Sequence, residues 1–105
     1  EEEKVIIEDL KAVQESGAFS VVIEAVPKVL ADKLCKISKI KTIGIGASKN
    51  CDGQVLVTED MLGFFVRNAK FVKKYDNIRD RIIKNVQKFK SDIIKRKFPT
   101  QKNIY

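Results

Sequence analysis

The chain has 105 residues, 44% of them hydrophobic and 33% charged, with a net charge of +7. That length allows one domain at most, with a workable core, and the composition excludes an intrinsically disordered chain. No apolar run is long enough to span a bilayer, and the acidic start EEEKVIIEDLK is unlike a secretory signal, so the sequence predicts a soluble cytoplasmic protein without a membrane partner.

Residues 3–16 read as a helix, because Ile6, Leu10 and Val13 recur at helical spacing and Gly17 sits where a glycine commonly ends one. Residues 18–24 are a nearly continuous apolar run ending in Glu24, the pattern of a strand buried on both faces. Pro27 suits the first turn of a second helix, whose buried face would carry Leu30, Leu34 and Ile37. Residues 41–45 form a second strand that runs into the glycines of GIGAS. KNCDG is a loop by composition, and QVLVT, residues 54–58, is a third short strand. Only residues 46–53 separate the last two strands, fewer than the roughly twelve a parallel crossover needs. Either that crossover is degenerate or DGQVLVTEDML is partly helical.

The last third reads mostly as one helix. Phe71, Tyr75, Ile78, Ile82, Val86, Phe89 and Ile93 make a long apolar stripe, with Asp80 and Lys84 as an i,i+4 pair on the other side. Pro99 stops it, and a frayed tail follows. The expected organisation is therefore a single partial domain: strands and helices over 1–66, a basic amphipathic helical segment over 67–98 and a tail over 99–105. Helix, strand, helix, strand, loop, strand, helix is an α/β order with parallel strands. Residues 67–105 hold 13 Lys and Arg against 3 Asp, which invites a nucleic-acid reading. A solvated helix face is the plainer reading and is preferred, because the tail has no glycine-arginine pattern and its aromatics fall on the apolar stripe. Cys35 and Cys51 have no framework spacing and no histidine to share a metal with, so they read as reduced thiols.

Two features could carry chemistry. In parallel α/β folds functional groups gather at the carboxyl ends of strands, where Glu24 and the Gly44–Gly46 turn both fall. Flanked by Val22, Ile23, Ala25 and Val26, Glu24 would be partly desolvated, which raises a carboxyl pKa and suits a general base. The alternative is a strand-end glutamate bridging to a lysine. GIGAS is either a close backbone approach to a ligand or a tight strand exit that needs positive φ.

The pieces VVIEAVP, TIGIGAS, CDGQVLV, DMLG and KFVKKY, in this order and spacing, resemble the carboxyl-terminal part of the ketopantoate hydroxymethyltransferase family. The likeness runs from about Glu8 to Pro99. It implies a (β/α)8 barrel of which this chain supplies the last three strands and a long C-terminal helix, and in which the short crossover is expected. It also implies transfer of a hydroxymethyl group from 5,10-methylenetetrahydrofolate to 3-methyl-2-oxobutanoate, with magnesium as Lewis acid. Glu24 takes the general-base role from the matched motif, and Gly44, Gly46 and Ala47 would line the same mouth.

In that family the magnesium ligands come from the first half of the barrel, so the resemblance assigns no metal ligand here. Glu59 stands where many relatives have histidine, Ser48 stands where a second glycine is common, and TQKNIY replaces an acidic, histidine-containing tail. The chain begins at Glu1 without Met and is expected to be a piece of something longer. Open strand edges and an uncovered inner face predict a homo-oligomer, a rearranged packing or a need for the amino-terminal half. Two hypotheses follow: an enzyme segment that supplies the base, or a non-catalytic remnant that self-associates or binds an acidic partner.

Overall fold

The computed structural model describes residues 2–105. They form two compact units: one comprises the described residues up to Val57 with Ala69–Val72, the other Thr58–Asn68 with Lys73–Tyr105.

The first unit runs α1 (Glu2–Glu15), β1 (Ser20–Glu24), α2 (Lys28–Ile37), β2 (Lys41–Ile45) and β3 (Gly53–Gln54). The sheet order is β1-β2-β3, and both pairings are parallel. Helix α1 ends as its spacing predicts: Gly17 N–H donates to the Gln14 carbonyl at 3.1 Å and Ala18 N–H to Val13 at 3.4 Å. These bonds satisfy carbonyls that a helix end leaves open. Helix α2 starts after Pro27, whose missing N–H costs nothing there and whose carbonyl accepts from Ala31 N–H at 2.9 Å. Leu10, Ile23, Ala31, Leu34 and Cys51 form the core, with Val21 and Leu30 packed against it. Burying Leu34 contributes about 2 kcal/mol. Ile37, expected on the buried face, is instead 42% exposed.

The register decides the faces. Val21 pairs with Thr42 and Ile23 with Gly44, while Val22 pairs with Ile43 and Glu24 with Ile45. Side chains alternate along a strand, so the first two pairs lie on one face and the last two on the other. Leu10 of α1 and Leu34 of α2 both pack on the Ile23 side. Val22 on the opposite face is 55% exposed. The expected strand buried on both faces is thus corrected to one buried on a single face, because these helices cover only one.

Strand β2 matches its expected residues. The third strand is shorter than expected: Gly53 and Gln54 pair with Ile43 and Gly44, and after Val55 N–H donates to the Gly44 carbonyl at 3.0 Å the chain leaves the sheet. The crossover over 46–52 is parallel and degenerate. The DGQVLVTEDML stretch is also partly helical, as α3 (Thr58–Met61), with Glu59 and Asp60 in a first turn that favours negative charge.

The second unit contains α3, α4 (Ile78–Ile94) and a 3-10 turn (Gln101–Asn103). Helix α4 begins later than the apolar stripe suggested, so residues 67–77 are not part of it. Ile78 N–H donates to the Leu62 carbonyl at 2.9 Å and Arg79 N–H to Gly63 at 3.3 Å. Those carbonyls satisfy first-turn donors and set the start. Tyr75 lies before the helix and Phe71 belongs to the first unit, so neither extends the stripe. No residue of α4 is buried; Ile82, Val86, Phe89 and Ile93 are each about half exposed. Asp80 does not pair with Lys84 as expected; it accepts from Asn77 Nδ2 at 2.6 Å and Arg79 at 3.4 Å. The tail is not simply frayed, since Thr100 and Asn103 cap one another around the 3-10 turn. Among the described residues no helix is long and apolar enough to cross a membrane.

Candidate active site at the strand ends

Glu24 is the last residue of β1, on the sheet face opposite the helices and level with Ile45. It is exposed, so the desolvation expected from its apolar neighbours is not provided by this chain. Val21 and Ile23 point away from it and Val22 is itself open to solvent. The alternative lysine bridge is not formed either: among the described residues Glu24 has no ion pair. Glu24 is among the residues that line a cleft of about 320 Å³ along the free edge of β1, whose walls come from Leu10 and Val13 of α1, Leu34 of α2 and Val22 and Ile23 of the strand. An apolar wall with a carboxylate at its end can bind a small apolar molecule and take a proton from it.

Directly after Glu24, Ala25 adopts φ 51 and donates its N–H to the Ile45 carbonyl at 2.9 Å. A left-handed alanine is disfavoured by about 1–2 kcal/mol. The ladder bond holds it there, so the chain turns sharply at the point where Glu24 ends the strand.

The adjacent turn is equally constrained. Gly46 has φ +61, and a Cβ there would come within 2.6 Å of Phe71 Cδ1. The strand-exit reading of GIGAS holds at Gly46, which needs positive φ and whose close neighbour is Phe71 of the same chain. Gly44 sits on the helix side, where a Cβ would lie 2.9 Å from Cys51 Sγ and from Gln54 Oε1. Ala47 also packs against the helix-side core. These two residues are thus directed away from the face that carries Glu24. Ile45 shares that face and is 8% exposed, and sequence reasoning passed over it. Phe71 was missed as a neighbour of Gly46 because its spacing fits the stripe of the later helix.

The turn is anchored to α2 through Asp32, which accepts from Ser48 Oγ, from Asn50 Nδ2 at 2.8 Å and from Lys28 Nζ at 2.6 Å. These donors, Lys28 foremost, hold the Asp32 carboxyl down to about 2. At the other end of β2, Asp52 accepts from Thr42 N–H at 2.9 Å, Thr42 Oγ1 at 3.0 Å and Lys41 at 3.2 Å, and is held down to about 2 for the same reason. Ser48, where the resemblance leads one to expect glycine, supplies one of the donors to Asp32. Both aspartates are committed to the scaffold. Among the described residues no group of three or more His, Cys, Asp or Glu is placed to hold a metal ion, so the residues present do not fit a magnesium site.

The family model of ketopantoate hydroxymethyltransferase matches residues 1–101. The chain is 49% identical over 104 residues to the 3-methyl-2-oxobutanoate hydroxymethyltransferase of Pelagibacter ubique, covering 99% of this chain and 40% of that protein. It is 47% identical to the Maricaulis maris enzyme of that name over 104 residues, covering 99% and 37%, and 48% identical to that of Sphingopyxis alaskensis over 105 residues, covering 100% and 37%. It thus spans about two fifths of the length of the curated relatives it matches. With nearly every residue covered by the family model, the chain belongs to the ketopantoate hydroxymethyltransferase family.

Proposed function

We propose that this chain is the carboxyl-terminal portion of a cytoplasmic (β/α)8-barrel enzyme that transfers a hydroxymethyl group from 5,10-methylenetetrahydrofolate to 3-methyl-2-oxobutanoate, giving 2-dehydropantoate on the pathway to pantothenate. In this reading Glu24 is the general base that removes the proton from C3 of the oxo acid. The enolate carbon would bond to the one-carbon unit as that unit's bonds to the folate nitrogens break, with water supplying the hydroxyl and tetrahydrofolate leaving.

The observation that carries the reading is the position of Glu24: the carboxyl end of a parallel strand, beside an apolar cleft and ahead of a left-handed residue pinned by the ladder. Strand ends of this kind are where barrels gather their chemistry. A base working on carbon needs a dry site, and Glu24 is exposed here, so the amino-terminal portion of the protein has to cover the cleft. That portion would also hold the magnesium ion and the folate, since the described residues of this chain do not fit a metal site.

The test is deuterium loss from C3 of labelled 3-methyl-2-oxobutanoate with magnesium present. The chain alone is expected to give no loss above buffer. Adding the amino-terminal portion of the Pelagibacter ubique relative is expected to restore it, and Glu24→Gln to reduce it by about a hundredfold or more. Equal loss with Glu24→Gln would sink the assignment.

A second reading, a self-associating module without catalysis, is favoured by the half-exposed apolar stripe of α4. It requires oligomers in sedimentation whether or not the amino-terminal portion is present, and no deuterium loss in either case.

A further inference from the structure

Away from Glu24, the first unit brings two thiols into contact. Cys35 on α2 and Cys51 in the crossover have Sγ atoms 3.3 Å apart, and both are free. Cys51 is buried in the helix-side core, whereas Cys35 is half-buried. Cys35 also lines a second cleft of about 320 Å³, together with Phe19, Lys39, Lys41 and Asp52. The Asp52 carboxylate is taken up by Thr42 and Lys41, while Lys39 has no ion pair among the described residues. The lining of one cleft thus includes a lysine without an ion pair among the described residues and the half-buried Cys35, whose Sγ touches that of Cys51.

We propose that Cys35 and Cys51 form a thiol–disulfide exchange site for small anionic disulfides of the glutathione type. The Cys35 thiolate attacks one sulfur of the disulfide, forming a mixed disulfide and expelling one glutathione thiolate. The Cys51 thiolate then attacks Cys35 Sγ, expelling the second. The protein loses two electrons and two protons, and the oxidised glutathione becomes two thiols. Lys39 attracts the glutathione carboxylates. The product ties α2 to the crossover by a bond of about 2.05 Å.

The pair is poised for slow exchange at neutral pH. Burial pushes the Cys35 thiol above its ordinary 9.0, and the adjacent Cys51 and the charge of Asp32 add to this, against an opposing hydrogen bond from Thr42. Lys39, Lys41 and Asp52 are the charged groups on the cleft side. Exchange requires the thiolate, so its rate is expected to climb with pH beyond neutrality.

The experiment equilibrates the 105-residue chain in glutathione redox buffers, with and without concentrated urea, and reads products by acid quench, intact mass and peptide mapping. The expected product is one internal Cys35–Cys51 bond. Its effective concentration should be at least about tenfold higher in buffer than in urea, because the folded chain holds the thiols together. Cys51→Ser and Cys51→Ala should both stop at a glutathione adduct on Cys35. Lys39→Ala should slow adduct formation with glutathione but not with uncharged hydroxyethyl disulfide. Equal effective concentrations in buffer and urea, adducts chiefly on Cys51, or a Lys39→Ala effect equal for both disulfides would overturn the proposal.

Discussion

The backbone N–H of Ala25 donates to the Ile45 carbonyl at 2.9 Å, carrying the parallel β1–β2 ladder one step past Glu24 while Ala25 sits at φ 51. One hydrogen bond thereby links the residue after the candidate base to the residue before the Gly46 turn. Strand end and turn are held as one unit by backbone, so side-chain changes at Glu24 are free to report on chemistry rather than folding.

Ala25→Gly tests the strain at this joint. Glycine accepts a left-handed conformation without the Cβ clash, so the variant is expected to be more stable by about 1 kcal/mol, after allowing for glycine's greater chain entropy. Ala25→Val should move the urea midpoint the other way, and equal midpoints for all three proteins would contradict the strain.

Gly46→Ala combines an unfavourable φ of +61 with a Cβ placed 2.6 Å from the Phe71 ring. It is expected to destabilise the first unit by about 2–3 kcal/mol. If the ring is the obstacle, Phe71→Ala made alongside will recover part of that loss in a double-mutant cycle. Additive effects would leave only the backbone term.

Leu34→Ala should cost about 3 kcal/mol, because the side chain is 2% exposed among core residues. Ile37→Ala, three positions on and 42% exposed, should cost under about 1 kcal/mol. Comparable losses at the two sites would mean that Ile37 is covered after all.

Acid stability follows from Asp32 and Asp52, both held down to about 2 from an ordinary 3.8. Their folded-state values lie below their unfolded ones, so the stability they contribute is complete above the ordinary value and is lost as pH falls from 3.8 toward 2. Asp32→Asn is expected to flatten the fall of the urea midpoint across that window. An unchanged slope would mean that the bonds to Lys28, Ser48 and Asn50 do not favour the charged form.

Amide exchange should separate the helices. Helix α4 buries none of its residues whereas α2 buries Ala31 and Leu34, so α4 amides are expected to exchange faster. Slower exchange in α4 would indicate that its stripe is covered, as the self-association reading requires.

The elements up to Ile45 were legible because their signals are local. The spacing of Ile6 and Leu10, the glycine at position 17 and Pro27 act through neighbours within a turn or two, and an apolar run ending in Glu24 marks a strand end wherever it lies. Two placements were misread for a common reason. Phe71 and Tyr75 continue a helical spacing, but Leu62 and Gly63 carbonyls start α4 only at Ile78. QVLVT has strand composition, but only Gly53 and Gln54 find partners on β2.

By itself, the sequence determined the α/β order, the parallel direction of the strands and the position of Glu24 at a strand end. Only the tertiary structure decided that Glu24 and Val22 stand on the face without helices, that Phe71 packs on Gly46, and that Cys35 meets Cys51. Periodicity records which residues share a face, because that depends on backbone geometry alone. What covers a face depends on segments distant in the chain, and no local pattern encodes that.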